Sequence, residues 1–114
     1  MKVYNATKGR WLATDVAVAS TFWSRLVGLL GRPSLPEGAG LLITPCDSIH
    51  TFGMRFPIDA VFIDRRYRVV RVVEGLRPFR VVLPVREAIS VIELPVETAR
   101  RTQTECGDQL EVAN

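Results

Sequence analysis

The residues able to do chemistry gather between Cys46 and Asp64, in the run CDSIHTFGMRFPIDAVFID. It holds the single histidine, His50, one of the two cysteines, Cys46, a methionine, Met54, and two aspartates, Asp59 and Asp64, around an apolar stretch. Cys46, His50 and Met54 are soft or borderline donors, a set that suits copper. Geometry limits that reading. On a strand Cys46 and Met54 stand roughly 26 Å apart, and on a helix roughly 12 Å, whereas metal–ligand bonds are about 2 Å long. Convergence requires a chain reversal, for which Gly53 is the candidate. The plainer reading is a buried cysteine, a core methionine and a hydrogen-bonded histidine, with no metal or other cofactor implied.

Asp59 opens a strand whose other members are apolar, so part of its carboxylate is shielded and needs a partner. Two roles follow. It fixes the turn 51–57 by accepting hydrogen bonds from backbone N–H groups, His50 or Arg55, or it forms a His50–Asp59 dyad acting as a general base. Neither Ser48 nor Cys46 is placed as a nucleophile by spacing alone. Phe52, Met54 and Phe56 alternate with polar neighbours. If Phe52 or Met54 is exposed, this loop forms an apolar lip rimmed by His50 and Arg55, suited to a small acidic ligand, a peptide or a protein partner. The leading expectation is a non-catalytic binding module using His50, Phe52, Met54, Arg55 and Asp59. An acid–base enzyme, hydrolase-like, with His50 and Asp59 as catalytic pair is the alternative.

A second alternative rests on charge. The net charge is +3, and the basic residues are arginines apart from Lys2 and Lys8. Arg65, Arg66, Arg68 and Arg71 cluster after the apolar stretch and form a candidate phosphate-facing hairpin. Nearby Glu74 and Glu87 offer pairing, and a modest charge excess is weak support for nucleic acid.

These residues must be held by elements the pattern also shows. With 114 residues and 47% apolar content, the chain is read as a single domain over 1–114 with one core. It carries no run of membrane-spanning length and no signal-peptide pattern, which places it by expectation in the cytoplasm. Two cysteines make no disulfide framework. Strands are expected at Lys2–Asn5, Thr14–Ala19, Leu41–Thr44, Ile58–Ile63, Tyr67–Val73, Ser90–Leu94 and Gln109–Val112. Val81–Val85 contains Pro84 and is an edge or irregular segment. The spacing of Phe22, Leu26 and Leu29 predicts one main helix over Thr21–Leu30, capped by Ser20 and packed through Trp23 on the sheet. Pro95–Thr102 suggests a short second helix. The fold class is α+β and strand-dominated, a twisted antiparallel sheet or partly closed β-barrel.

The segments TFWSRLVGLLGRPSL, GLLI, PCDSIHTFGMRFPIDAVFID, ELP and GDQLEV, spanning about Thr21 to Glu111, resemble the bacterial and archaeal domain of unknown function family 192. That resemblance implies a compact, mainly β domain with a helix packed on it, and brings no established activity. The chain departs from the family's Glu-Leu-Pro-Ala-Gly-Thr pattern at Glu97, where losing glycine puts a positive-φ turn in doubt. Cys106 stands where a proline is usual, so any role for it is particular to this chain.

Overall fold

The computed structural model describes residues 1–114. The strands are β1 (Lys2–Asn5), β2 (Arg10–Ala13), β3 (Asp15–Ala19), β4 (Ala39–Ile43), β5 (Ile49–His50), β6 (Ile58–Ile63), β7 (Val69–Leu76), β8 (Val81–Val82), β9 (Ser90–Pro95) and β10 (Leu110–Ala113). Two short helices complete the chain, α1 (Phe22–Val27) and α2 (Thr98–Thr102). The fold is strand-dominated α+β, with no closed barrel.

The main sheet runs β3-β4-β9-β6-β7, with a three-stranded sheet β10-β1-β2 and a separate pair β5-β8. Pairing is antiparallel except for β3 on β4. That parallel pair sits at the edge of an otherwise antiparallel sheet. Its physical cause is the crossover through α1 and the loop 28–38, which carries the chain back to the starting end of β3.

Strands β6 and β9 lie at the heart of the sheet. Every residue of β6 is buried, as are Ser90 to Leu94 of β9. Side chains alternate between the faces of a strand, and the two faces fill different cores. Ile58, Ala60, Phe62 and Val91 join the cluster beneath α1, with Leu29 and Met54. Val61, Ile63, Ile92 and Leu94 join the opposite cluster, with Val3, Leu12 and Leu110. A strand covered on both sides reads as a continuous apolar run, which is why the bounds of β6 are legible in the sequence.

The helix expected over Thr21–Leu30 ends three residues early. Thr21, not Ser20, is its cap: Thr21 Oγ1 accepts from the Ser24 N–H, and Ser24 Oγ accepts from the Thr21 N–H. Gly28, at φ 50°, terminates it. No α1 residue is buried, and Trp23 is 70% exposed rather than packed on the sheet. Leu29 and Leu30, beyond the helix, reach the core instead.

Five non-glycine residues take a positive φ, Tyr67 and Glu97 among them. Tyr67 ends the β6–β7 turn at φ 62°, where Asp64 Oδ1 accepts from the Arg66 and Arg68 N–H groups. Glu97 takes φ 73° before α2, so the positive-φ turn persists without glycine. The left-handed conformation costs an L-residue about 1–2 kcal/mol, part of which glycine returns in unfolded-state entropy. The exposed Glu97–Arg100 ion pair offsets little. Glu97→Gly is expected to stabilise the protein by about 0.5–1 kcal/mol, read as a higher urea midpoint at unchanged slope.

Candidate functional site

A cavity of about 290 Å³ opens between α1 and the loop that carries β5. Its walls include Leu26, Leu29, Ile43 and Met54, and its polar groups come from Arg25, Cys46, Ser48, His50 and Glu93. Glu93 is not among the site residues expected from the sequence. It lies within the apolar strand β9, opposite Leu41 on one side and Ala60 on the other, and so points to the core face that bears the cavity. It is 3% exposed.

No hydrogen bond or ion pair within the protein reaches the Glu93 carboxylate, and burial alone pushes its pKa up to about 7. Every fully enclosed side-chain oxygen or nitrogen has a partner. The unpartnered Glu93 oxygens therefore open into the cavity. Gly28 lies beside them: a Cβ at that position would stand 3.9 Å from Glu93 Oε1, ordinary contact distance.

Asp59 occupies the opposite face. Its partner across β9 is Leu94, a member of the other core cluster. Fully buried, it accepts from the Gly75 N–H at 2.9 Å and the Ala99 N–H at 2.9 Å. It ties β7 and α2 to β6 rather than fixing the turn 51–57. The two residues of the expected dyad are thus separated by the sheet, and both Asp59 oxygens are engaged. His50 Nδ1 accepts from the Phe52 N–H at 3.3 Å, which leaves the neutral ring's proton on Nε2.

Cys46, His50 and Met54 do converge, since all three line the cavity. No three His, Cys, Asp or Glu side chains gather in the protein in a way that could hold a metal ion. The Cys46 thiol donates to the Ser48 carbonyl at 2.9 Å, and burial pushes its pKa up. It is a poor nucleophile in that state.

Of the two candidate lip residues, only one reaches the surface. Phe52 is exposed and stands beside His50 and Phe79, with ring centroids 5.6 and 6.2 Å away, while Met54 is buried. Buried Thr51 holds this lip to the segment before β8. Its hydroxyl accepts from the Arg80 N–H and donates to the Arg77 carbonyl, and its carbonyl accepts from the Phe79 N–H. Arg55 is exposed and outside the cavity. Arg65, Arg66, Arg68 and Arg71 are exposed on the β6–β7 hairpin, and Tyr67 between them packs on the second core.

The family model of domain of unknown function 192, described as Uncharacterized ACR, COG1430, matches residues 3–112. The chain belongs to this family. Similar members include a UPF0127 protein of Thermococcus sibiricus, 34% identical over 94% of this chain and 71% of its own length. Another is the UPF0127 protein PH1112 of Pyrococcus horikoshii, 32% identical over 95% and 96%. Among solved structures, a Novosphingobium aromaticivorans protein of unknown function superposes with a TM-score of 0.82 at 20% identity, covering 98% of this chain and 84% of that one. A Sinorhizobium meliloti protein, described as a candidate transcription regulator, gives 0.82 at 24% identity, covering 96% and 89%. Both show that this family member shares their fold.

The two buried carboxylates give opposite tests. Removing Asp59 strands two buried N–H groups, so Asp59→Ala is expected to cost about 3 kcal/mol or more, and Asp59→Asn, which keeps one acceptor, less. Chemical denaturation of the two variants measures this. For Glu93, the folded protein keeps the proton to about pH 7 while the ordinary value is 4.5. Folding then takes up a proton between these values, so this group makes stability fall as the pH rises from 4.5 to about 7. Glu93→Gln is expected to flatten that fall and to leave the variant more stable at pH 8, by on the order of 2–3 kcal/mol.

Proposed function

We propose that this protein is a small-ligand-binding module whose site is the cavity between α1 and the β5–β8 lip. Its ligand has a compact apolar body and an N–H or ammonium group that meets Glu93. One observation carries the reading: a deeply buried carboxylate with no partner in the protein faces an otherwise largely apolar cavity. A buried charge is costly until it is paired, so a cationic or N–H donor gains a charge-assisted hydrogen bond inside a shielded site. The cavity volume lies at the lower edge of the range for small-molecule sites, about 300–1,000 Å³, which favours a compact ligand.

The acidic ligand suggested by His50 and Arg55 has less support, because Arg55 lies outside the cavity and its most buried polar group is itself an acid. Catalysis by His50 with Asp59 lacks a shared face, and Cys46 offers no activated thiolate. Nucleic-acid binding through the hairpin arginines lacks an aromatic platform, since Tyr67 is turned inward.

Amide spectra of the protein at pH 8 with benzylamine, benzyl alcohol and benzoate test the reading. Benzylamine is expected to shift the amides of Gly28, Ile49, His50 and Glu93 in a saturable way, with benzoate doing so weakly or not at all. Glu93→Gln should weaken benzylamine at least about ten-fold. Saturable benzoate binding with no response to the amine would overturn the assignment.

A further inference from the structure

The mouth of the cavity carries a second feature that the ligand reading does not use. Phe22, Trp23, Leu26 and Val27 of α1 are all at least 48% exposed. Across the opening, Phe52, Phe79, Val81 and Leu83 are exposed to at least the same degree. The two groups adjoin. The loop behind Phe52 lies against the chain after α1, where a Cβ on Gly53 would stand 3.4 Å from Leu30 Cδ2. Phe52 and Phe79 meet edge to face, and His50 pairs with Val81.

Charge on the same three segments is of one sign. Residues 20–32, 50–57 and 76–86 contain Arg25, Arg32, Arg55, Arg77, Arg80 and Arg86 and not one aspartate or glutamate. None of these arginines is in an ion pair; the four ion pairs of the protein involve Lys8, Arg100 and Arg101. The carboxylates closest in sequence are Glu87, one residue past Arg86, then Glu74 and Asp59, each two residues outside a segment, and Asp47, three residues before His50; of these Asp59 is buried. Glu93 is the only acid lining the cavity, and it lies within.

We infer that this face docks on an anionic lipid surface, with the aromatic and leucine side chains of α1 and the β5–β8 lip entering the interface and the surrounding arginines contacting lipid phosphates. Charge complementarity selects this occupant. A second copy docked through the same face would bring arginine against arginine. Separate apolar side chains among long basic ones suit an interface whose apolar and anionic layers lie at different depths: aromatic rings settle at the headgroup level and arginine stems extend to the phosphates. Polybasic attraction to anionic lipid acts additively with such insertion. No helix of this protein is long and apolar enough to cross a membrane, and the contact inferred here is a peripheral one. The inference does not depend on what the cavity holds.

Flotation of the purified protein with vesicles of phosphatidylcholine, and with vesicles of phosphatidylcholine and phosphatidylglycerol at three to one, tests it. Binding is expected to the anionic vesicles, to weaken with salt, and to shift Trp23 emission to the blue in a Trp11→Phe background. Because the altered side chains are exposed, Trp23→Ala with Phe79→Ser should fold, as circular dichroism verifies, and lose binding at least about ten-fold. Arg77→Glu and Arg80→Glu should each weaken it by about five-fold or more. Arg65→Glu with Arg66→Glu, on the distant hairpin, should leave most of it. The inference fails if neither vesicle binds, if the hairpin pair matters as much as the mouth pair, or if polyglutamate displaces the protein from vesicles at equal charge concentration, which would indicate an acidic protein partner instead.

Discussion

Strands β6 and β9 are covered on both sides, and side-chain alternation along them decides where each polar group of this protein can act. Asp59 and Glu93 sit on adjacent strands within one sheet, yet one turns to each core. The first is given two backbone donors and becomes a fastening. The second is given none and becomes a demand on whatever enters the cavity. A shift of β9 by one residue would turn Glu93 to the face that holds Asp59, so the register itself separates a structural carboxylate from a receptive one.

The cavity exists because α1 does not fill its side of the sheet. A helix of this sequence packed down through Phe22, Leu26 and Trp23 would close the space over Glu93. Instead Gly28 ends the helix early, Leu29 and Leu30 beyond it reach the core, and the helix forms one wall of the cavity. The opposite wall is held by Thr51, a small buried residue whose backbone and hydroxyl both engage the 77–80 segment. The same arrangement that leaves the carboxylate accessible leaves apolar surface on both rims.

Much of this architecture is legible before folding is considered. The apolar run Ile58–Ile63 announces a doubly covered strand, and the loop around His50, Phe52 and Met54 does bound the cavity. Asp59 draws attention for a sound reason, being polar in a greasy strand, but sequence cannot say which sheet face it turns to or that Gly75 and Ala99 wait there. Glu93 carries the same signal: it is flanked by Val91, Ile92 and Leu94 just as Asp59 is flanked by Ile58, Ala60 and Val61. Its importance depends on α1 standing clear, and the helical spacing of Phe22–Leu30 predicts the reverse. Local periodicity reports that a face is apolar, without reporting whether anything in the chain covers it.

One feature of the periphery bears on how the chain reaches this state. Strand β1 lies between β2 and β10, and Asn5, fully buried, donates to Asp108 across 103 positions of sequence. Burial works against ionisation of Asp108, yet its contacts with Asn5, Lys8 and the Glu105 N–H together hold it below the usual carboxylate range. The three-stranded sheet is thus a closure between distant parts of the polymer, whose loop entropy is spent before any reward is collected. Its high sequence separation makes its assembly an expected late step, and without it Val3 and Leu12 no longer cover the second core.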